Sequence, residues 1–342
     1  MAELQRVFGL ATVDAAGGKA LARIFIIGSG VVGTATGKGL LDAGHDVTFV
    51  DVLASRVRAL RDEGMQACFE LDLVGVPPSF IFLTLPTPNA GHEYDLSAFM
   101  AGTSSVGRAL AVADPVHTVV IRSTVPPTTA QERVRPALER ASGMQVDQGF
   151  SLASNPEFLR AASARDDFRW PWMTVVASRN RRTVERLVGL LEPFGGELRT
   201  FEDYATAEFV KCAHNIFNAT KISFWNEMWL VAQELGVDID AVAGTVARSA
   251  EASTNPTYGI RGGAPYGGVC LPKDTQGFLG FAKTISLDMP LLQAVVAVND
   301  RLVEYVEQEF GSAPGDAQAG LPARERRIIE LPDIVKTPTV AP

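Results

Sequence analysis

Ile24-Phe25-Ile26-Ile27-Gly28-Ser29-Gly30-Val31-Val32-Gly33 is the stretch on which the fold of this chain turns. Four consecutive apolar residues with no polar alternation describe a strand covered on both faces, as in a parallel sheet. A G-x-G-x-x-G turn follows at once and opens a helix. In such a turn Gly28 permits the sharp bend, Gly30 lets the backbone approach a pyrophosphate, and Gly33 lets strand and helix pack closely. The helix N-terminus, at Val31 and Val32, offers free amides and a positive dipole end to phosphate. Taken alone, the glycines fit an ordinary turn equally well. Their context adds Asp51, which ends the second strand about 20 residues on, where an acid binds ribose hydroxyls. A carboxylate there repels a 2′-phosphate, which favours NAD over NADP. Asp51 as a simple strand-end cap is the other reading.

Working outward, Val47 to Val50, Phe80 to Leu85, Val119 to Ile121 and Met173 to Ala177 are further apolar runs. Helix-like segments separate several of them, including Thr34 to Leu41 and Arg182 to Leu191. This alternation predicts a doubly wound parallel sheet of the Rossmann type over residues 23–203, after an Ala/Gly-rich extension over 1–22. From Tyr204 to Leu235 the sequence has helical periodicity with no proline or glycine. Such a helix is roughly 45 Å long at about 1.5 Å per residue. It is apolar around much of its circumference, through Phe209, Ile216, Phe217, Ile222, Phe224, Trp225 and Trp229. That much apolar surface has to pack on two sides and predicts a homodimer interface. Helices are also expected near Asp240 to Ala250 and Met289 to Phe310, completing an all-helical domain over 204–310, with 311–342 as a tail.

The 342 residues exceed one small core, and 46% apolar content excludes wholesale disorder. A net charge of −8, from 31 basic and 39 acidic side chains, argues against non-specific binding to nucleic acid or an anionic membrane. The three cysteines, Cys68, Cys212 and Cys270, have no paired metal spacing, so neither a disulfide framework nor a structural zinc site is expected. Free thiols fit a reducing cytoplasm. Glu3, Arg6 and Asp14 interrupt the N-terminus, which does not read as a signal peptide, and no apolar run approaches the roughly 18 residues of a spanning helix.

Tyr266-Gly267-Gly268-Val269-Cys270-Leu271-Pro272-Lys273-Asp274 is the second informative stretch. Two glycines allow close approach to an anion, and a cation beside a cysteine favours the nucleophilic thiolate. A lone cysteine is otherwise most often a buried structural thiol. Asn155-Pro156-Glu157-Phe158-Leu159-Arg160 follows a predicted strand on the cofactor side. Lys211 and Asn215 are four apart and share a face of the long helix, with Lys221, Asn226 and Glu227 further along. A solvated helix cation or an interface salt bridge is the alternative for Lys211.

Together these residues resemble the UDP-glucose/GDP-mannose dehydrogenase family over roughly residues 23 to 310. The likeness rests on the glycine turn, Pro86-Thr87-Pro88, Arg122-Ser123-Thr124-Val125, Asn155 to Arg160, Lys211 with Asn215, and Gly267 to Asp274. Met173-Thr174-Val175, Lys221 to Glu227 and Tyr258 to Arg261 stand nearer the GDP-mannose branch. The resemblance implies oxidation of a sugar CH2OH to the acid with two NAD, through an aldehyde, a Cys270 thiohemiacetal and a thioester. By matched position, Lys211 and Asn215 stabilise the oxyanion, Asp274 and Thr124 assist through water, and Glu157 helps hydrolyse the thioester. Lys273, Thr87 and Thr124 fall to the cofactor. Glu157, Phe158, Leu159, Arg160, Lys211, Asn215, Asn226, Tyr258, Arg261, Gly267 and Gly268 fall to the substrate. The chemistry agrees, since a cation belongs where alkoxide charge develops.

The sequence also departs from the family pattern. The family usually carries a third domain that holds the nucleotide, and 32 residues after Phe310 are too few for one. The segment between the second and third strands is shortened to residues 52–78, and Ala161 stands where a glutamate is common. The residues therefore leave two other readings open: a two-electron alcohol dehydrogenase acting on a nucleoside or sugar phosphate, and a non-catalytic NAD-binding scaffold.

Overall fold

The structure, a computed structural model, describes residues 21–90, 93–114, 116–248, 265–268 and 270–310. They divide into two compact units, one ending at Ile216 and one beginning at Phe217. The expected extension over 1–22 thus lies almost wholly outside the described residues, and the expected tail over 311–342 lies entirely outside them.

The first unit is built on an eight-stranded sheet. Its strands are β1 (Arg23–Ile27), β2 (Asp46–Val50), β3 (Gln66–Cys68), β4 (Ser79–Leu83), β7 (His117–Ile121), β8 (Phe150–Ser154), β9 (Met173–Ala177) and β10 (Glu197–Phe201). A separate short hairpin, β5 (Asn89–Ala90) and β6 (Glu93–Tyr94), follows β4. The spatial order is β10-β9-β8-β7-β4-β1-β2-β3. Helices α1 (Val31–Asp42), α2 (Ala54–Asp62), α3 (Ser97–Leu110), α4 (Arg135–Ser142), α5 (Ala164–Arg169) and α6 (Arg181–Leu191) surround it.

The apolar run at β1 explains both layers. Side chains alternate across a strand, so Ile24 and Ile26 join one core with Phe49, Phe80, Phe82 and residues of α1, α2 and α6. Phe25 and Ile27 join the other with Ile81, Leu83 and Val119, covered by Phe99 and Val106 of α3 and Leu138 of α4. Each buried side chain of this size contributes about 1.5–3 kcal/mol, and only a strand covered on both faces can use four in a row.

The pairing is parallel from β3 through to β8. The sheet differs from a wholly parallel one at its edge, where β9 meets β8 antiparallel, Ser154 opposite Ala177, and β10 is parallel to β9. The link from β8 to β9 holds a 3-10 turn (Ala161–Ser163) and the six-residue α5, which packs through Phe168 against Gly39 of α1. It therefore does not act as the crossover that a parallel pair requires. Residues just past β8 run back beside β9, with Asn155 Nδ2 donating to the Val175 carbonyl at 2.7 Å.

Helix α7 (Tyr204–Leu235) begins in the first unit and continues into the second, with the ends its periodicity predicts. The second unit contains α8 (Ile239–Val246), α9 (Cys270–Thr284) and α10 (Pro290–Phe310). Its core forms around Val231, Ala282 and Met289. Glu227, nearly buried, accepts from the amides of Leu291 at 2.5 Å and Leu292 at 3.2 Å, and so caps α10. None of the described helices is long and apolar enough to cross a membrane.

His117 sits fully buried in β7, and among the described residues neither ring nitrogen meets a hydrogen-bond partner. Burial, reinforced by the nearby Arg186 charge, pulls its pKa from 6.5 down to about 4. The folded state holds it neutral, whereas the unfolded chain takes up a proton below the ordinary value. Stability from this residue is therefore complete above the unfolded pKa and falls through the interval down to about 4. The slope is about 1.4 kcal/mol per pH unit at most. Urea titrations across this interval should show a shallower acid loss for His117→Leu than for the parent; equal slopes would assign the acid sensitivity elsewhere.

Candidate active site

In a doubly wound sheet the ligand crevice lies beyond the carboxyl ends of the strands, where the strand order reverses. Here the reversal falls between β1 and β4. Gly28 leaves β1 with φ +94°, and a Cβ there would lie 2.9 Å from the Thr84 carbonyl oxygen. A Cβ at Gly33 would lie 2.0 Å from the Gly28 carbonyl oxygen, so strand and helix could not close together. Around Gly30 there is nothing within 4 Å of the same position. The first amide bonded back into α1 is that of Thr34, to the Gly30 carbonyl. The amides of Val31, Val32 and Gly33 therefore have no intrahelical partner, and no side chain caps this end. Open space facing unpaired amides at a helix N-terminus fits a dinucleotide pyrophosphate.

Asp51 closes β2 and is buried. One carboxylate oxygen accepts from the Ser29 amide at 2.7 Å, the Ser29 hydroxyl at 2.6 Å and Arg56 Nη1 at 3.3 Å; the other accepts from the Leu53 amide at 2.9 Å. Burial raises its pKa, but the bonds from Ser29, Leu53 and Arg56 outweigh that and hold it below the ordinary value. The acid is thus ionised at neutral pH. Neither Ser29 nor Arg56 stood out in the sequence, because each acquires meaning only by touching Asp51.

The loops after β4 and β7 are bound to one another. Thr87 Oγ1 donates to the Thr124 carbonyl at 2.7 Å, and the Ser123 hydroxyl donates to the Leu85 carbonyl at 2.6 Å. Arg122, at the end of β7, is buried; its Nη1 donates to Asn155 Oδ1 and its Nε to Thr36 Oγ1. Burial lowers this guanidinium to about 10, opposed by the charge of Glu157.

Glu157 lies just past β8, beside the start of α7. Its Oε1 is 3.1 Å from Lys211 Nζ, with side-chain exposures of 11% and 6%. Its Oε2 accepts from the Leu159 amide. Lys211 also lies 5.4 Å from the centre of the Phe158 ring. It is therefore a buried, paired ammonium and not a solvated helix cation. Asn215, one turn on, is exposed, with Oδ1 3.3 Å from His214 Nδ1. Arg160 turns to Asp167, with Nη2 2.6 Å and Nε 3.1 Å from its carboxylate. Trp172 stacks on His214 and meets Phe158 edge-on. This aromatic cluster has no signal in the sequence, since its members lie on three separate elements.

In the second unit Cys270 is exposed and is the first residue of α9. Gly267-Gly268 forms the approach to this helix. Gly268 has φ +73°, a conformation that favours glycine. Lys273 Nζ lies 3.2 Å from Asp274 Oδ1, both exposed, and Asn226 is exposed on α7. Tyr258, Arg261 and Val269 lie outside the described residues. Among the described residues no cluster could hold a metal ion.

A doubly wound sheet with an open glycine turn at its switch point and an ionised acid closing the second strand defines a dinucleotide-binding protein of the Rossmann class. Residues 78–195 match the model of the UDP-glucose/GDP-mannose dehydrogenase family NAD-binding domain, and residues 205–301 match that of its central domain. Residues 24–95 also match a ketopantoate reductase model. The chain is 32% identical over 313 residues to a UDP-glucose 6-dehydrogenase of Haloferax volcanii, covering 83% of this chain and 72% of the relative. It is 31% identical over 306 residues to a GDP-mannose 6-dehydrogenase of Pseudomonas syringae pv. tomato, covering 82% and 69%. A solved ternary complex of GDP-mannose dehydrogenase from Pseudomonas aeruginosa aligns with TM-score 0.75 at 29% identity, covering 82% of this chain and 69% of that one. The chain belongs to the UDP-glucose/GDP-mannose dehydrogenase family, is an NAD-dependent oxidoreductase, and takes NAD as its cofactor.

The geometry around Asp51 gives a direct expectation. kcat/KM should be higher with NAD than with NADP, and Asp51→Ala, which removes the repulsion of a 2′-phosphate, should narrow the ratio by about tenfold, equivalent to ~1.4 kcal/mol. Equal use of both cofactors by the parent would return Asp51 to the role of a cap for Ser29 and Leu53.

Proposed function

We propose that this enzyme oxidises the terminal CH2OH of a sugar, carried on a nucleotide or a related phosphate, to the carboxylate. The observation that carries the reading is the buried Lys211–Glu157 pair beyond the carboxyl end of β8. Desolvating an ammonium and a carboxylate together is costly. Such a pair at the ligand edge of the sheet serves a reaction in which negative oxygen charge has to be met. The family membership supports the same reading, and the relatives cited are named as 6-dehydrogenases of UDP-glucose and GDP-mannose.

When bound, NAD supplies the hydride acceptor for each two-electron oxidation. Gly28, Gly30, Gly33 and the amides of Val31 and Val32 would hold its pyrophosphate, and Asp51 would hold a ribose. Thr87, Thr124 and Lys273 would complete its contacts. Lys211 stabilises the alkoxide as the alcohol loses its proton, assisted by Asn215. Cys270 adds through sulfur to the aldehyde carbon, and the carbonyl oxygen takes the proton, giving a thiohemiacetal. Its oxidation gives a thioester. Water adds to that carbonyl with Glu157 as proton acceptor, the C–S bond breaks, and the thiol is restored by a proton. Thr124 and Asp274 orient water. The balance is one alcohol, one water and two NAD giving one carboxylate, two NADH and three protons. Phe158, Leu159, Arg160, Asn226, Tyr258, Arg261, Gly267 and Gly268 are assigned to the sugar and phosphate.

The test is the ratio of NADH formed to substrate consumed across UDP-, GDP- and dTDP-sugars and the bare sugar phosphates. Two NADH per substrate, with the acid as product, is expected; one NADH would restrict the chain to alcohol oxidation. Cys270→Ser should lose acid formation, because a serine alkoxide is far harder to form than a thiolate near neutral pH. Acid made by the Ser variant at the parental rate would remove covalent catalysis through Cys270.

We further propose a homodimer built on α7, where Phe209, Ile216, Phe217, Ile222 and Trp229 are all exposed. Exposed apolar surface on this scale marks an association face. Light scattering at micromolar concentration should give the dimer mass; a monomer mass unchanged by concentration would count against it.

A further inference from the structure

Glu208 is a buried carboxyl group that the reaction above does not use. It lies on α7 one turn before Lys211, and its side chain faces the loop that follows β7. Oε1 accepts from the Ala130 amide at 2.8 Å, at the start of the π-helical turn Ala130–Val134 that leads into α4. The amides of Thr128 and Thr129 act on the same carboxyl group. Thr128 has φ +75°, a left-handed conformation costly for a β-branched residue. Left-handed followed by right-handed backbone points successive amides at one place, which makes a binding site for an anionic oxygen. Thr129, at φ −56° and ψ −42°, supplies the right-handed half. A second tie runs one turn along α7, from Cys212 Sγ to the Val125 carbonyl at 3.6 Å. Thr124, the residue before the second anchor, accepts from Thr87 through its own carbonyl.

We propose that Glu208 is a positioning residue that clamps the Thr124–Ala130 loop to the helix carrying Lys211 and Asn215, fixing the cofactor-side threonines against the oxyanion side chains. The proposal rests on the functional reading above for its consequence in turnover and, through the assignment of Thr87 and Thr124 to the cofactor, in NAD binding, but not for its consequence in loop exchange. The strain at Thr128 is held in place by what Glu208 accepts. Glu208 Oε2 meets no hydrogen-bond partner among the described residues, so the group is retained at a cost that core packing does not explain. Burial pushes the carboxyl from 4.5 up to about 7 against the pull of the three amides, and the Asp203 charge adds to the rise. The other titratable groups on this side are Lys211, Cys212 and, next to Cys212, Tyr94.

The experiment compares the parent, Glu208→Met and Glu208→Gln by NADH affinity, from nucleotide fluorescence, and by amide hydrogen exchange over residues 123–134. Methionine keeps the volume and removes both the acceptor and the unpaired oxygen; glutamine restores the acceptor. Glu208→Met should weaken NADH binding about tenfold and speed exchange in the loop, as small misplacements of a binding element do. Glu208→Gln should stay within about threefold of the parent near pH 6, where the parent carboxyl is protonated. A folded Glu208→Met protein with parental NADH affinity and parental exchange would overturn the proposal. So would a Gln variant as impaired as the Met variant at that pH. Should the Met variant not fold, glutamine decides alone. Affinity equal to the parent near pH 6 but weaker above about pH 8 supports the clamp, and equality at both overturns it. Lack of turnover in the parent would sink the oxidation reading while leaving both of these measurements readable.

Discussion

A buried ammonium has to be neutralised where it stands, and Lys211 meets that constraint through Glu157. Much of the ligand edge follows from this one contact. It requires the first turns of α7 to lie against the residues leaving β8, so Phe158 packs under Lys211 and His214 lies against Phe158 and Trp172. It also ties Arg122 into the same field, because the charge of Glu157 opposes the effect of burial on that guanidinium. Removing either partner leaves an uncompensated charge, which costs about 3–5 kcal/mol, more than the pair contributes when intact. The contact therefore serves specificity of structure and of site more than net stability.

The long helix distributes such contacts along its length. Glu208 meets the amides at the start of one helical segment, and Glu227 meets those at the start of α10. Both are buried carboxyl groups at helix N-termini, where the dipole and the unpaired amides favour negative charge. In each unit a helix N-terminus is thus fixed by a side chain of α7. A helix that holds other elements in this way has to be long and free of glycine and proline, which is how Tyr204–Leu235 is written.

Cofactor binding obeys a different constraint, that of close approach. Backbone has to come within van der Waals contact of backbone at Gly28 and Gly33, and has to leave room at Gly30. The acid at Asp51 has to remain ionised while buried, and four hydrogen bonds achieve that. These demands are local. They involve residues at the ends of two adjacent strands, β1 and β2, held in register from Arg23 opposite Asp46 to Ile27 opposite Val50.

Locality also separates what the sequence determined by itself from what the tertiary structure decided. Apolar runs, glycine spacing and the unbroken periodicity of α7 depend on neighbours within a few residues. The Rossmann-type sheet, the glycine turn and the long helix could accordingly be read directly from the sequence. The edge strand β10, with four of its five residues exposed, has no apolar run and could not be read that way. The reversal of β9 was equally silent, because strand direction is set by contacts between elements distant in the chain. Lys211 read equally as a solvated cation until the fold brought Glu157, 54 positions earlier, within 3.1 Å of it. Charge pairing, capping and desolvation act between groups far apart in the chain, and only the folded structure sets which groups those are.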